Sequence, residues 1–153
     1  MKNNFTAKGF TLIELIIVVA IIGVLSAIVL VSLGTANTKG RDSRRVSDLK
    51  EIQTALGLYY SEYQNYPASL DLLPGAGFIS RVPTPPNGAG DVAYKYSALG
   101  SGVSCSDYHL GVTLEDVANK ILQVDSDATA SSVCDGSAED FDGTIGNIYD
   151  IRP

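Results

Sequence analysis

The most prominent pattern along the chain is an unbroken apolar run near its start. Residues 15–33 are nineteen positions that carry no charge and only two serines. An α-helix needs about twenty such residues to cross the hydrocarbon core of a bilayer. The run therefore predicts a helix that spans a membrane or anchors in one.

Beyond Gly34 the apolar positions recur at steps of three and four, which is typical of a helix with one buried face. They are Val46, Leu49, Ile52, Leu56, Tyr59 or Tyr60, and Tyr63. Because no proline interrupts residues 10–66, we expect one helix of about fifty residues to include both patterns. Pro67 disfavours helical geometry at Tyr66, so the helix should end near Asn65.

Short elements are predicted after Pro67. Ser69 is placed to cap one helical turn, and the glycines and prolines of residues 75–90 are typical of a long irregular connection. A second brief helix, through Ile121, is expected to be capped by Thr113 with Asp116.

Alternating apolar and polar positions predict strands over residues 92–99 and 108–114, with a last extended segment over 145–151. Together with the long helix, these strands define an α+β fold class. We expect a small antiparallel sheet to cover the apolar face of the helix.

Charge is unevenly distributed in this chain of 153 residues and net charge -6. From Ser101 onward ten residues are acidic, and only Lys120 and Arg152 are basic. Affinity for nucleic acid comes mainly from Lys and Arg that neutralise phosphates, so no general nucleic-acid binding is expected.

The cysteines are Cys105 and Cys134, both in the acidic half. If this half lies outside the cytoplasm, an even count predicts one disulfide, worth roughly 3 to 4 kcal/mol in the chain-entropy model. Two buried free thiols are the alternative. Metal binding by cysteine is disfavoured because no ligand cluster accompanies the pair.

Acidic residues cluster around Cys134, and hard oxygen ligands at this density suit Ca²⁺. The candidate calcium ligands are Asp125, Asp127, Asp135, Asp140 and Asp142. Their spacing is not that of an EF-hand loop, and a solvated acidic loop is the simpler interpretation.

Catalytic motifs are not found in the sequence. His109 lies in a strand pattern without a nucleophile or a second titratable group at a recognisable spacing. It is interpreted as an ordinary strand histidine. No phosphate loop, metalloprotease motif or nucleophile elbow occurs, so we expect no enzyme activity and no cofactor other than the candidate calcium.

The most informative segment is KGFTLIELIIVVAIIG, residues 8–23. The positive charges of Lys2 and Lys8 favour a cytoplasmic location for the residues that precede the apolar run. Gly9 has no side chain, which lets a protease approach the backbone closely. Glu14 is unusual because an ionised carboxylate in an apolar helix is costly unless it is paired or lies at the interface.

This segment resembles the leader junction of type IV pilins and type II secretion pseudopilins. The resemblance implies that a prepilin peptidase cuts between Gly9 and Phe10 and methylates the new amine of Phe10. It also implies that Glu14 pairs with that amine during assembly, either within one subunit or between neighbouring subunits. At lower specificity the resemblance continues to about residue 100.

The domain organisation expected from this resemblance has four parts: a leader of residues 1–9, a transmembrane and filament-core helix of 10–33, an amphipathic helix of 34–65, and a globular head of 66–153. The expected partners are further copies in a helical filament, the prepilin peptidase, an assembly-platform membrane protein, and membrane lipid before assembly. The precursor would cross the cytoplasmic membrane once, and the assembled filament would be extracellular.

Two positions depart from the family patterns. Many members carry proline where this chain has Val31, and major pseudopilins commonly have aspartate where it has Thr84. Alternatives to a pilus subunit therefore remain: a pseudopilin of a type II secretion system, or a membrane-anchored adhesion or binding module that never polymerises. A conventional signal peptide, with Ser26, Ala27 and Ala36 imitating its cleavage motif, is a further alternative.

Overall fold

A computed structural model describes residues 9–153, with the side chains of residues 29–32 excepted. Lys2, Lys8 and the side chain of Val31, which entered the sequence interpretation, lie outside the described part. The chain divides into two compact units, with the boundary between Asn37 and Thr38.

Helix α1, Leu12–Tyr63, confirms the predicted long helix. It ends two residues earlier than expected because Gln64 adopts a left-handed conformation, with φ of 52°. Among the described residues, α1 is the one helix that is long and apolar enough to cross a membrane. Its most apolar 18-residue window has a mean hydropathy of 3.1. In the first unit its large apolar side chains are exposed, from Leu12 at 75% to Ile28 at 65%.

The second unit, residues 38–153, contains an antiparallel three-stranded sheet in the order β1-β2-β3. The strands are β1 Lys95–Ser101, β2 Ser104–Thr113 and β3 Ile148–Ile151. The core lies between α1 and this sheet, where Leu49, Ile52 and Leu56 of the helix are fully buried with Leu110 and Val112 of β2. The structure therefore confirms the predicted α+β fold class.

Strand bounds differ from the prediction at both ends of the hairpin. β1 begins at Lys95, three residues later than predicted, because the Asp91 carboxylate accepts the N–H of Thr113 at 2.7 Å in place of a backbone partner. β2 begins four residues earlier, since a turn at Gly102 pairs Ser101 with Ser104. The first residues of β2 are mostly polar, so the alternation of apolar and polar positions did not predict this pairing.

The short helices were predicted with mixed success. Helix α2, Leu72–Gly75, confirms the helical turn after Ser69, but its N-cap residue is Asp71 rather than Ser69, and no side chain caps it. The helix expected from a Thr113 and Asp116 cap was wrong, because Thr113 pairs within the sheet. A 3₁₀ helix, Lys120–Gln123, forms instead, and its cap is the side chain of Asn119, which accepts the N–H of Ile121 at 3.2 Å.

The second unit, residues 38–153, is called the head from here on. In it, strand β2 runs antiparallel to α1, and polar contacts join the two at each end. At one end Asn65 Oδ1 accepts the N–H of Cys105 at 2.6 Å. At the other end the Asp42 carboxylate accepts the N–H groups of Glu115 and Asp116, both at 3.0 Å. The helix and the strand are therefore held together at both ends.

The predicted disulfide between Cys105 and Cys134 is confirmed, with a Cα–Cα distance of 5.5 Å. Both cysteines are buried, and the bond joins the start of β2 to the distal loop. It closes a loop with a sequence separation of 29 residues. In the chain-entropy model such a closure stabilises the fold by about 3 to 4 kcal/mol.

Candidate functional site

Helix α1 begins with a capping box formed by Thr11 and Glu14. Thr11 N–H and Thr11 Oγ1 both donate to Glu14 Oε2, at 2.8 and 2.7 Å. In return, Glu14 N–H donates to Thr11 Oγ1 at 3.3 Å. Because these bonds satisfy N–H groups that the first helical turn leaves without partners, they define the start of the helix.

The capping box was missed at the sequence level, although its signal is present. A Ser or Thr followed three residues later by Glu, just before an apolar run, is the signature of such a box, and Thr11 and Glu14 have that spacing. The sequence interpretation treated Glu14 as a carboxylate that needs a partner. The structure gives it one inside its own chain, the N–H and hydroxyl groups of Thr11.

The residues on either side of the predicted cleavage point are exposed. Phe10 is 81% exposed, and it lies one position before the Thr11 cap. Among the described residues, nothing lies within 4 Å of the position that a Cβ on Gly9 would take. Packing among the described residues therefore does not require glycine at position 9.

An exposed apolar surface follows the capping box directly. Along one stretch of α1 the side chains of Ala20, Ile21, Val24 and Leu25 line a shallow apolar groove. Ile21, Val24 and Leu25 are each more than half exposed. Surfaces of this kind mark contacts with a membrane or with other protein.

In the head, a buried ion-pair network joins α1 to the loop after β2. Arg45 is 1% exposed and contacts Asp42 at 2.8 Å, on the same face of α1, and Glu115 at 2.7 Å. Arg41 also donates to Glu115, through Nε at 2.8 Å. The hydrogen bonds from Arg41 and then from Arg45 lower the pKa of Glu115 to about 2, although burial opposes this shift.

His109 lies in β2, as the sequence interpretation expected, but it has two titratable partners that its sequence spacing did not reveal. It is fully buried, its Nδ1 lies 2.8 Å from Asp140 Oδ1, and its Nε2 lies 2.8 Å from Asp150 Oδ2. The ring stacks on Phe141 with a centroid distance of 3.8 Å.

The candidate calcium ligands are only partly brought together. Asp125 and Asp127 share a group with Asp150, in which one ligand oxygen of each lies within 4.8 Å of the others. Asp140 contacts His109 instead, and Asp142 accepts hydrogen bonds from Thr144. Asp135 is exposed and does not belong to this group.

Asp125 provides a structural reason to expect a cation in this group. Among the described residues, neither of its two buried carboxylate oxygens has a hydrogen-bond partner. Burial raises the pKa of Asp125, and the negative charges of Asp127 and Asp150 raise it further. Three carboxylates of this kind fit the oxygen preference of Ca²⁺.

The N-terminal part of the chain also matches known proteins. The chain matches the family described as the prokaryotic N-terminal methylation motif over residues 5–30. It is 32% identical to the type II secretion system core protein G of Escherichia coli (strain K12) over 104 residues, covering 58% of this chain and 72% of that protein. No solved structure gives a significant match.

The match with two further relatives covers a smaller share of each relative's length. Core protein G of the type II secretion system of Pectobacterium carotovorum is 28% identical over 103 residues, which are 57% of this chain and 66% of that protein. The type IV major pilin protein PilA of Myxococcus xanthus is 40% identical over 65 residues, which are 42% of this chain and 30% of that protein.

The chain therefore belongs to the type IV pilin and type II secretion pseudopilin superfamily. It is a pilin-like filament subunit, and this superfamily consists of structural subunits rather than enzymes. The methylation motif and the apolar helix fit a membrane-anchored precursor and an extracellular filament.

Proposed function

We propose that the chain is inserted in the cytoplasmic membrane as a precursor, cut between Gly9 and Phe10 by a prepilin peptidase, and methylated at the new amine of Phe10. The observation that carries this proposal is the exposed junction immediately before the Thr11 and Glu14 capping box. A peptidase can reach an exposed junction outside the helix, because no helical hydrogen bonds must break there. Cutting at this point leaves α1 intact.

The proposal divides the chain into the four parts that the sequence predicted. Residues 1–9 are the removed leader, residues 10–33 form the filament core, and residues 34–65 form the helical part that supports the head. Residues 66–153 complete the head. An assembly-platform membrane protein would extract the mature subunit from the lipid into a helical filament of like subunits.

Glu14 is proposed to pair with the amine of Phe10 during assembly. Cleavage creates a cationic amine one position before the helix cap, and the hydrogen bonds from Thr11 hold the Glu14 carboxylate at the same helix end. A carboxylate held in one geometry loses less entropy when it binds a cation. Pairing between neighbouring subunits would set their axial register while the apolar helices pack together.

The particular machine has two candidates. A type IV pilus is the first. A type II secretion pseudopilus is the second, and it is favoured by the relatives that carry the name core protein G. Neighbouring genes for a retraction motor would support the first, and neighbouring genes for an outer-membrane secretion channel would support the second. Adhesion, motility, DNA uptake and secretion follow from the machine rather than from the subunit.

Calcium is proposed as a structural ligand of the head, held by Asp125, Asp127 and Asp150. The buried oxygens of Asp125 support this proposal, because an ionised carboxylate without a partner is costly to bury. The cation would steady the distal loop. It would supply no chemistry.

Mass spectrometry of the mature amino terminus tests the main proposal. We expect the first residue of the protein purified from cells to be N-methylated Phe10. The matched control is Gly9→Val, which should accumulate as uncut precursor while the head melts at the same temperature, since a side chain at position 9 meets open space. An intact leader in the wild type, or another first residue, would favour the membrane-anchored module that never polymerises.

A further inference from the structure

An exposed turn at Asn87 and Gly88 contains the one asparagine of the chain that is followed by glycine. Asparagine–glycine pairs are typical of turns, because both residues tolerate the backbone angles that tight turns need. The pair is also chemically reactive. Asparagine is a thermolabile residue, and glycine has no side chain to hinder attack by its own amide nitrogen. The sequence therefore indicates Asn87 as a candidate for modification.

The fold requires glycine at position 88. Its φ of 142° lies in a region that residues with side chains rarely adopt. A Cβ at this position would also overlap the carboxylate of Glu115. Glycine therefore lets the turn lie directly against Glu115, and the same residue leaves Asn87 next to an unhindered amide nitrogen.

The amide nitrogen of Gly88 is available for reaction. Among the described residues, its N–H has no hydrogen-bond acceptor. Gly143 provides a contrast, because it follows Asp142 and its N–H donates to the carbonyl of Ala128 at 2.8 Å. A bonded amide must lose its acceptor before its nitrogen attacks, and this loss costs free energy. Gly88 has no such cost.

The side chain of Asn87 is also not held by hydrogen bonds within the described part of the chain. Two other asparagines differ in this respect. Asn65 Oδ1 accepts the N–H of Cys105 at 2.6 Å. Asn119 Oδ1 accepts the N–H of Ile121 at 3.2 Å. Because Asn87 lacks such a bond, its Cγ is free to rotate towards the next amide nitrogen.

Both neighbours of Asn87 contact the buried ion-pair network of the head. On one side, the carbonyl of Pro86 accepts a hydrogen bond from Arg45 Nη2. On the other side, Gly88 lies against the carboxylate of Glu115. A change in the main chain at Asn87 therefore affects both contacts.

The charges of this network are balanced. Arg41 and Arg45 supply two positive charges, and Asp42 and Glu115 supply two negative charges. A carboxylate at position 87 would place three negative charges against two positive ones. Solvent screens part of this excess, since residue 87 is exposed. The remaining part acts on a buried network, where an uncompensated charge is costly.

We propose that Asn87 is a site of spontaneous deamidation in the folded head, and that the product weakens the contacts of residues 86–88 with the ion-pair network. First, the Gly88 nitrogen bonds to Asn87 Cγ while the Cγ–Nδ2 bond breaks. The proton of the Gly88 N–H leaves with the amide group as ammonia. The succinimide ring that results takes up one water molecule and opens at either of its two carbonyls. The products are aspartate and isoaspartate, and each carries one new carboxylate.

Isoaspartate should have the larger effect on the head. Its main chain runs through the former side chain, so one extra carbon separates Pro86 from Gly88. The contacts with Arg45 and Glu115 then cannot both keep their geometry. We expect aged protein to be less thermostable than fresh protein. This inference does not depend on cleavage after Gly9.

Peptide mapping of the full chain in detergent tests the proposal. The protein is incubated at mildly alkaline pH, which favours loss of the amide proton, and is then reduced and digested with trypsin. Peptide 82–95 contains Asn87 and no other asparagine or glutamine, and peptide 96–120 contains Asn119 alone. We expect peptide 82–95 to gain the mass of one amide-to-acid change and to separate into two chromatographic peaks. Peptide 96–120 is the internal control and should stay unchanged.

Two variants separate the reaction from its consequence. Asn87→Gln keeps an amide but must close a larger ring, so it should stay unmodified and keep the melting temperature of fresh wild type. Asn87→Asp carries the new charge without the longer main chain. It should melt a few degrees below Asn87→Gln, and aged wild type should melt lower still.

A synthetic peptide with the sequence of residues 82–95 gives the rate without the fold. We expect the folded chain to react at a rate similar to that of the free peptide. Reaction of the free peptide but not of the folded chain would show that the fold protects Asn87, and would overturn the proposal. Full conversion with an unchanged melting temperature would overturn the proposed effect on the network.

Discussion

Glu14 Oε2 lies 2.7 Å from Thr11 Oγ1 and 2.8 Å from the Thr11 amide nitrogen. The carboxylate proposed to align subunits is therefore also the one that starts the helix. The two roles require different properties of the side chain. Capping needs a hydrogen-bond acceptor, which glutamine also supplies, whereas pairing with an amine needs a negative charge.

Substitution of Glu14 by Gln should separate these two roles. The variant keeps the capping geometry and loses the charge, so we expect normal cleavage after Gly9 and a fall in filament yield of roughly tenfold. Cleavage is measured by mass spectrometry, and yield is measured by shearing and quantifying filaments.

Thr11→Ala is the matched control for that experiment. It removes the Thr11 hydroxyl but keeps the Glu14 charge and the backbone N–H that donates to Glu14, so assembly should fall much less than in Glu14→Gln although the first helical turn frays more. Normal filament yield in Glu14→Gln would contradict the proposed pairing with the Phe10 amine.

Arg45→Ala should destabilise the head by about 3 to 5 kcal/mol, because it strands the buried Asp42 carboxylate without its cation. The measurement is urea unfolding of the full chain in detergent. Arg44→Ala is the control: its side chain is 66% exposed and lies 3.9 Å from Asp48. Loss of such a surface pair changes stability by less than about 1 kcal/mol. Equal losses in the two variants would disprove the role given to the buried network.

Acid should lower the thermal stability of the head, because Glu115 becomes protonated. Its folded pKa of about 2 lies below the ordinary value of 4.5, so its contribution is complete above pH 4.5 and is lost as the pH falls towards 2. We expect the melting temperature to fall across this window in the wild type. Glu115→Gln should show a flatter acid limb, and coincident profiles of the two chains would rule out Glu115 as the cause.

Calcium should raise the melting temperature of the head relative to chelator. In a domain of this size each kcal/mol of binding free energy adds roughly 4 to 8 °C. Asp125→Asn should abolish the shift, because it removes the buried carboxylate of the cluster. Asp142→Asn, which lies outside the cluster, should keep it. An unchanged wild-type melting temperature would end the calcium proposal.

Predictions succeeded where neighbouring residues decide the structure. The length of α1 follows from an apolar run, an amphipathic repeat and the position of Pro67. The strand patterns located the middle of β1 and β2 but not the hairpin turn at Gly102. That turn depends on pairing between the two strands. The first residues of β2 are mostly polar, so no alternating pattern predicted this pairing.

Charged and polar residues of the head were the least predictable. Arg45 has the appearance of a solvated helix residue in the sequence, yet it is 1% exposed because Glu115, seventy positions later, reaches it. His109 meets Asp140 and Asp150 across separations of 31 and 41 residues. Spacing along the chain carries no information about such pairs.

The sequence by itself determined the long helix with its apolar run and the family. These features depend on the order of adjacent residues and on periods of three or four, which are local properties of a helix. Tertiary structure decided the pairing of His109, the burial of Arg45, and the acidic group of Asp125, Asp127 and Asp150. Each of these requires the register of β2 and β3 and the path of the distal loop, because a contact between distant residues exists only after the chain has folded.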